Sequence, residues 1–295
     1  MIAGVAKAAT SSLFDYLGQH PDICPADLKE LRYFVPLRYS EPLEPLESYA
    51  AHFGHWTSES YALEATPGYF PGGEVVAKAM DATLPGVRVV VILRDPADRC
   101  WSYYRFLRSR VRIPRDMTFD AYLDRCEELH HRGVDGEREH QEFWGLGGGC
   151  YSQWLEPWVD TFGPRFRVVF FDDLVRDPPG TVADICRWLG LDAGVTAEFV
   201  YEADNKTLQY RNEMLQSAAV RLNRRQRLFF ATHPGLKRSL RRAYHLVNAD
   251  AAKEQPTGPA RARLEQFYRP YNTRLSEQLA TMGLAQPPAW AQAAS

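Results

Sequence analysis

Short continuous apolar runs alternate along this chain with longer stretches of helical periodicity. Ile2 to Val5, Val89 to Leu93 and Val168 to Phe171 are unbroken apolar runs, and Tyr61 to Leu63 is a shorter candidate. That is the pattern of parallel strands covered by helices on both faces. Between them the spacing predicts helices over 13–19, 46–53, 74–82, 98–110, 119–130, 151–162 and 182–189. Strands alternating with helices predict an α/β fold, a doubly wound parallel sheet flanked by helices. The carboxy-terminal third shows no convincing strand. Leu264, Tyr268, Tyr271, Leu275, Leu279 and Met282 form a helical stripe there, and Pro270 inside it predicts a kink or a break. With no internal repeat or linker, one domain over 1–295 is expected. The glycine-rich stretch 131–149 reads as a flap over a site or, the commoner case, a surface excursion.

The first run leads into small residues around one lysine, Val5-Ala6-Lys7-Ala8-Ala9-Thr10-Ser11-Ser12, and then into an amphipathic helix. Ser11 or Ser12 is expected to cap that helix. A strand, tight turn and helix of this kind gathers backbone N–H groups, hydroxyls and an ammonium around one point, a P-loop-like phosphate cradle. An ordinary βα turn fits the same stretch equally well.

Composition narrows the class. Of 295 residues, 45% are hydrophobic and 24% charged, ordinary globular values. The formal net charge of -2 argues against wholesale nucleic-acid binding. Arg221, Arg224, Arg225, Arg227, Lys237, Arg238, Arg241 and Arg242 are read as solvated helix faces. Five scattered cysteines form no C-x-x-C pair, a reduced, intracellular pattern with no zinc site. His130, His131 and His140 lie in a charged stretch and are expected on a solvated surface, so no metal is expected. Met1 already lies in the first strand and no apolar run nears the ~20 residues of a membrane helix, so a soluble, cytoplasmic protein is expected. Its alanine and arginine content suggests a high-GC bacterial source.

Three more segments carry candidate chemistry. Arg94-Asp95-Pro96 follows the second long strand, where open α/β sheets bind ligands, and offers a guanidinium fork with Ser102 two helical turns on. Lys29-Glu30-Leu31-Arg32-Tyr33-Phe34 sets a glutamate among apolar neighbours, a candidate general base. Glu64-Ala65-Thr66-Pro67-Gly68-Tyr69-Phe70 follows the short strand as a further lip of the cleft.

In this order the four segments resemble the sulfotransferases that use 3′-phosphoadenosine 5′-phosphosulfate (PAPS), closest to the branch of glycosaminoglycan N- and 3-O-sulfotransferases and their bacterial relatives. Lys7 to Ser12 with His20-Pro21 resembles the family's K-x-G-T-T/S loop and following helix. Arg94, Pro96, Arg99, Ser102 and Tyr104 match R-x-P-x-x-R-x-x-S-x-Y in register. Lys29 to Phe34 matches the element that bears the catalytic glutamate, and Glu64 to Phe70 matches E-K-S/T-x-x-Y-F. Weaker likenesses continue at Gly149-Cys150-Tyr151, Asp172-Asp173-Leu174, Arg187 to Leu191 and Phe267 to Leu275, and thin between about 205 and 258. Two positions depart from the pattern: Ala9 stands for the loop glycine, and Ala65 for a lysine associated with the active site.

The resemblance implies roles. Lys7 would neutralise the leaving oxygen; the backbone from Ala8 through Ala9 to Ser12 and the hydroxyls of Thr10, Ser11 and Ser12 would hold the 5′-phosphate. Arg94 and Ser102 would grip the 3′-phosphate, and Glu30 would take the acceptor's proton. PAPS is the expected co-substrate, without a metal. The expected acceptor is a hydroxyl, ahead of an amine, on a small molecule, natural product or carbohydrate. Its pocket is expected from 36–60, 108–150 and 205–258, with Trp56, Trp144, Trp154 and Tyr210 as candidate stacking surfaces. Two other readings stay open. A P-loop nucleotide kinase lacks its G-x-x-x-x-G-K-[ST] pattern here. A non-catalytic nucleotide-binding protein would keep a degenerate cradle, to which Ala9 and Ala65 lend weight.

Overall fold

The computed structural model describes residues 1–202 and 258–292, with 209–210, 249–250 and 256 between them. Three parallel strands form its centre: β1 (Ile2–Gly4), β4 (Val89–Leu93) and β5 (Phe166–Phe170), in the order β1-β4-β5. A second parallel pair, β2 (Ile23–Pro25) and β3 (Tyr61–Leu63), is joined to β1 by a bridge between Ile2 and Ala65. The bridge is closed by Ile2 N–H to Glu64 O at 2.8 Å and Thr66 N–H to Ile2 O at 3.1 Å. Strand order thus runs β2-β3-β1-β4-β5, and the chain leaves β1 toward β3 on one side and β4 on the other. Such a reversal opens a crevice at the carboxyl ends of the central strands.

The apolar runs become strands because both sheet faces are covered. All five residues of β4 are buried. The helices around the sheet are α1 (Thr10–Leu17), α2 (Leu46–Ala50), α3 (Gly73–Thr83), α4 (Pro96–Ser109), α5 (Phe119–His131), α6 (Leu155–Phe162), α7 (Phe171–Arg176) and α8 (Pro178–Leu189). Trp158 of α6 is fully buried and donates from Nε1 to Phe70 O at 3.0 Å, tying that helix to the start of α3. Gly4 is required where it stands: a Cβ there would lie 2.8 Å from the Phe70 Cβ. A second apolar cluster holds α4, α5 and the carboxy-terminal helix Pro259–Thr281 together through Tyr104, Tyr122, Leu264 and Tyr268.

Several boundaries differ from the expectations. The strand expected over Val168 to Phe171 runs from Phe166 to Phe170, its start hidden by half-buried Arg167, and Phe171 already opens α7. The carboxy-terminal third, expected to hold no strand, contributes the two-residue antiparallel pair Gln209–Tyr210 and Ala249–Asp250. Residues 151–153 form a 3-10 turn ahead of α6. Pro270 does not divide the terminal helix: it is exposed, so its missing N–H falls on the solvent side while Leu264, Tyr268, Leu275 and Leu279 form the buried stripe. Neither Ser11 nor Ser12 caps α1; the cap position is Ala9, with no side-chain hydrogen bond.

The glycine segment Gly147–Gly149 is interior rather than a surface excursion. A Cβ at Gly147 would press on the Asp135 carboxylate and lie 2.8 Å from Trp144 Cζ3, so a larger residue would have to displace both side chains. His130, expected on a solvated surface, is half-buried between Asp135 (2.8 Å) and the Tyr271 hydroxyl (3.2 Å), because the end of α5 packs on the terminal helix. The hydrogen bond to Asp135 raises its pKa above the ordinary value. All five cysteines are buried and free, and no described helix is long and apolar enough to cross a membrane. The basic clusters between 221 and 242 lie outside the described residues, as does the side chain of Tyr210.

Candidate active site

The turn between β1 and α1 is wound tightly by two non-glycine residues in the left-handed region, Lys7 (φ 74°) and Ala9 (φ 61°). Left-handed backbone costs a Cβ-bearing residue about 1–2 kcal/mol, and strain of this kind gathers at functional sites. What the winding achieves is a helix start with open donors: the first N–H groups of an α-helix lack intrahelical partners, and here no side chain caps them. Thr10 and Ser12 are buried in the turn and Ser11 is half-buried. Ala8 differs from its neighbours. Its side chain is fully buried and its N–H already donates to Val5 O at 3.2 Å. Ala9→Gly is expected to raise stability by about 1 kcal/mol with donor binding kept; a denaturant titration beside a binding titration checks this, and an unchanged or lower stability would mean that Ala9 is not strained.

Arg94 brings the second sequence segment onto the first. It stands just after β4, ahead of α4, whose start is fixed by the Asp95 side chain accepting from Ala97 N–H (2.8 Å) and Asp98 N–H (3.3 Å). Arg261 of the terminal helix locks that start with 2.6 Å contacts to both Asp95 and Asp98. Arg94 then donates from Nη1 to the Lys7 carbonyl at 2.9 Å, across 87 residues of sequence. Its guanidinium lies 4.3 Å over the Phe171 ring and Tyr151 donates to its carbonyl at 2.9 Å, while its Nε is buried without a partner. Burial lowers the Arg94 pKa below its ordinary value.

Lys7 itself reaches over α4, its ammonium 4.6 Å from the Phe106 ring centre. Its pKa falls to about 8, first through burial and then through Arg94, Arg110 and Arg105, while Glu30 opposes the shift. Among the described residues, neither Arg94 nor Arg110 has a carboxylate within ion-pairing distance. The site is therefore positive although the chain as a whole is not, as an anion site requires.

Glu30 stands on the opposite lip, exposed, in a left-handed conformation (φ 61°), with the Lys29 ammonium 3.3 Å from Oε1. Ser102 is half-buried on α4, about 9 Å along the helix axis from Pro96. The structure thus gathers Lys7, Arg94 and Glu30 into one electrostatic neighbourhood and shows no direct contact of Ser102 with Arg94.

The sequence reading missed Arg105, Phe106 and Arg110 around Lys7. Phe106 and Arg110 follow Ser102 at helical spacing, the one signal that could have found them. Of the candidate stacking residues, Trp154 packs in the interior against Phe70 and Trp144, and exposed Trp56 donates to Glu59 O in its own turn. Among the described residues Glu137, Glu139 and His140 come close enough to share an ion, but both acids are exposed.

Comparison with known proteins points the same way. Residues 39–194 match the model of the sulfotransferase family. The chain is 25% identical to the human bifunctional heparan sulfate N-deacetylase/N-sulfotransferase 1, over 97% of this chain but 30% of that protein's length. It is 27% identical to the mouse heparan sulfate glucosamine 3-O-sulfotransferase 3B1, covering 68% of this chain and 48% of that protein. A solved sulfotransferase from Alicyclobacillus acidocaldarius shares the fold, with a TM-score of 0.66 at 23% identity over 99% of this chain and 97% of the other. The match to the family model extends over more than half the chain: this protein belongs to the sulfotransferase family.

Proposed function

We propose that this chain, acting as a single domain, transfers a sulfuryl group from PAPS to a hydroxyl, ahead of an amine, of a small-molecule, natural-product or carbohydrate acceptor. The observation that carries this is the hydrogen bond from Arg94 to the Lys7 carbonyl, which seats the two donor-binding segments side by side at the ends of β1 and β4. The buried, unpartnered Nε of Arg94 and the uncapped start of α1 fit a donor with phosphate at both ends. PAPS supplies an activated sulfur whose bond to the bridging phosphate oxygen breaks as the acceptor oxygen bonds to it.

The protein's part is placement and charge, as in phosphoryl transfer. Lys7 neutralises the bridging oxygen of the departing nucleotide, and the N–H groups and hydroxyls at the start of α1 hold its 5′-phosphate. Arg94 and Ser102 hold the 3′-phosphate. Glu30 accepts the proton that the acceptor loses. The acceptor's hydroxyl or amine must therefore reach the Glu30 carboxylate.

Arg94→Ala is expected to weaken binding of 3′-phosphoadenosine 5′-phosphate ten- to hundred-fold, the loss of about 1.5–3 kcal/mol for a charged hydrogen bond. Adenosine 5′-phosphosulfate, which lacks the 3′-phosphate, should lose far less. Equal losses for the two would refute the assignment of Arg94. Transfer of label from PAPS to a panel of hydroxyl and amine acceptors tests the function itself; no transfer to any acceptor, with PAPS binding intact, would favour a binding protein.

A further inference from the structure

Glu64 is a buried carboxylate beside this site to which the mechanism gives no task. It is 1% exposed, and its Oε1 accepts from the Thr66 hydroxyl at 2.5 Å. That same hydroxyl accepts the backbone N–H of Arg32 at 3.1 Å. A threonine hydroxyl has one proton. Because it is directed at Glu64, the oxygen's lone pair is presented to Arg32, and the two bonds polarise in one direction.

The backbone so held is unusual. Glu30 and Arg32 both sit in the left-handed region, at φ 61° and 62°, with Leu31 between them. Two such residues within three positions cost about 1–2 kcal/mol each and persist only where the surroundings over-determine them. The Thr66–Glu64 pair is the fixed end of that arrangement. Glu64 and Thr66 are part of the edge joined to β1, through the Ile2 N–H to Glu64 O and Thr66 N–H to Ile2 O bonds, so they are as rigid as the sheet. Glu64 Oε2 and the Tyr69 hydroxyl are buried nearby without hydrogen-bond partners.

We propose that Thr66 and Glu64 are positioning residues for the sulfuryl-transfer reaction: their hydrogen-bond relay anchors the Arg32 amide to the sheet edge and thereby aims the Glu30 carboxylate at the acceptor. The proposal rests on Glu30 being the base. Burial also pushes the Glu64 carboxyl up to about 7, and in the geometry seen its Oε1 is the acceptor the relay needs. The left-handed turn and the relay explain each other. A strained loop carries the base, and a buried polar pair keeps the strain in place.

The test is a set of variants in the full chain. Thr66→Val removes the hydroxyl at nearly constant volume. It is expected to lower kcat ten- to hundred-fold with the affinity for 3′-phosphoadenosine 5′-phosphate changed less than about twofold, since the donor is held by other residues. Thr66→Ser is expected to restore most of the loss. On a Glu30→Gln background, Thr66→Val should have no further effect, because Thr66 acts through Glu30. Thr66→Ala serves in the same comparison should the valine prevent folding.

A kcat within twofold of wild type in Thr66→Val, a parallel loss of nucleotide affinity, or the same factor again on the Glu30→Gln background would each overturn the proposal. Near-normal turnover of Glu30→Gln alone would instead overturn the base assignment beneath it, so the two failures are read from different proteins.

Discussion

Lys7→Ala is expected to lower turnover by about two to three orders of magnitude, the loss typical when one preorganised group facing developing charge is removed. Lys7 is suited to that task by its surroundings. Burial and the neighbouring Arg94, Arg110 and Arg105 bring its pKa to about 8, so its charge is held at a disadvantage that a bound anion would relieve. Two consequences have definite signs. Donor affinity should be full below pH 8 and fall as pH rises through it, because binding the anion requires the protonated form. In the unfolded chain Lys7 titrates near 10.5, so between about 8 and 10.5 the unfolded state binds more protons and stability without ligand rises with pH. Lys7→Met, which keeps the stem over Phe106, should therefore melt higher than wild type at pH 7 while being nearly inactive. Isothermal titration across pH 6.5–9.5 and thermal melts check both. A donor affinity flat across that range, or near-normal turnover in Lys7→Ala, would remove Lys7 from the leaving-group role.

Much of the fold was legible because buried parallel strands declare themselves as apolar runs. β4 is Val89–Leu93 both by pattern and in the structure, with every residue buried. Legibility failed where one residue contradicts its element. Arg167 hid the start of β5, and Pro270 announced a break that an exposed helix face does not need. The start of α1 was misjudged because serines beside a helix start usually cap it, whereas here Ala9 takes the cap position in a left-handed conformation with no side-chain cap.

The site was half legible. Motif order pointed to Lys7, Arg94 and Glu30 separately. That Arg94 bonds to the Lys7 carbonyl follows only from the order of strands, since 87 residues separate them. The cations around Lys7 could not be weighed from sequence either, because arginines at the surface read alike whether or not an acid faces them. Arg261 is fully engaged by Asp95, Asp98 and Glu265, whereas Arg110 lies 5.5 Å over the Phe106 ring that Lys7 also faces and lowers the Lys7 pKa. The Thr66–Glu64 relay was hidden for a related reason. Glu64 stands next to Ala65, which replaces the residue the family pattern marks as active, and nothing in the spacing says that a threonine two residues on reaches back to the Glu30 loop.

Glu30→Gln carries the second large expectation: a fall in kcat of about a hundred- to ten-thousand-fold, the range contributed by a positioned base, with nucleotide affinity nearly unchanged at pH 7. The substitution is close to isosteric, and exposed Glu30 makes one contact with Lys29, so stability should move by no more than about 0.5 kcal/mol. Its reach toward Lys7 adds a signature that a merely structural glutamate at another place would lack. Glu30 raises the Lys7 pKa against burial and three arginines. Removing its charge should lower the Lys7 pKa further, so the alkaline loss of donor binding should begin at a lower pH than in wild type. Single-turnover rates with bound PAPS separate chemistry from binding, and the pH titration of nucleotide affinity reads the coupling. If the chemical step stays near wild type, Glu30 is not the base. If the step slows but the alkaline limb does not move, Glu30 acts on the acceptor from too far away to influence Lys7, and the two lips of the cleft are electrostatically independent.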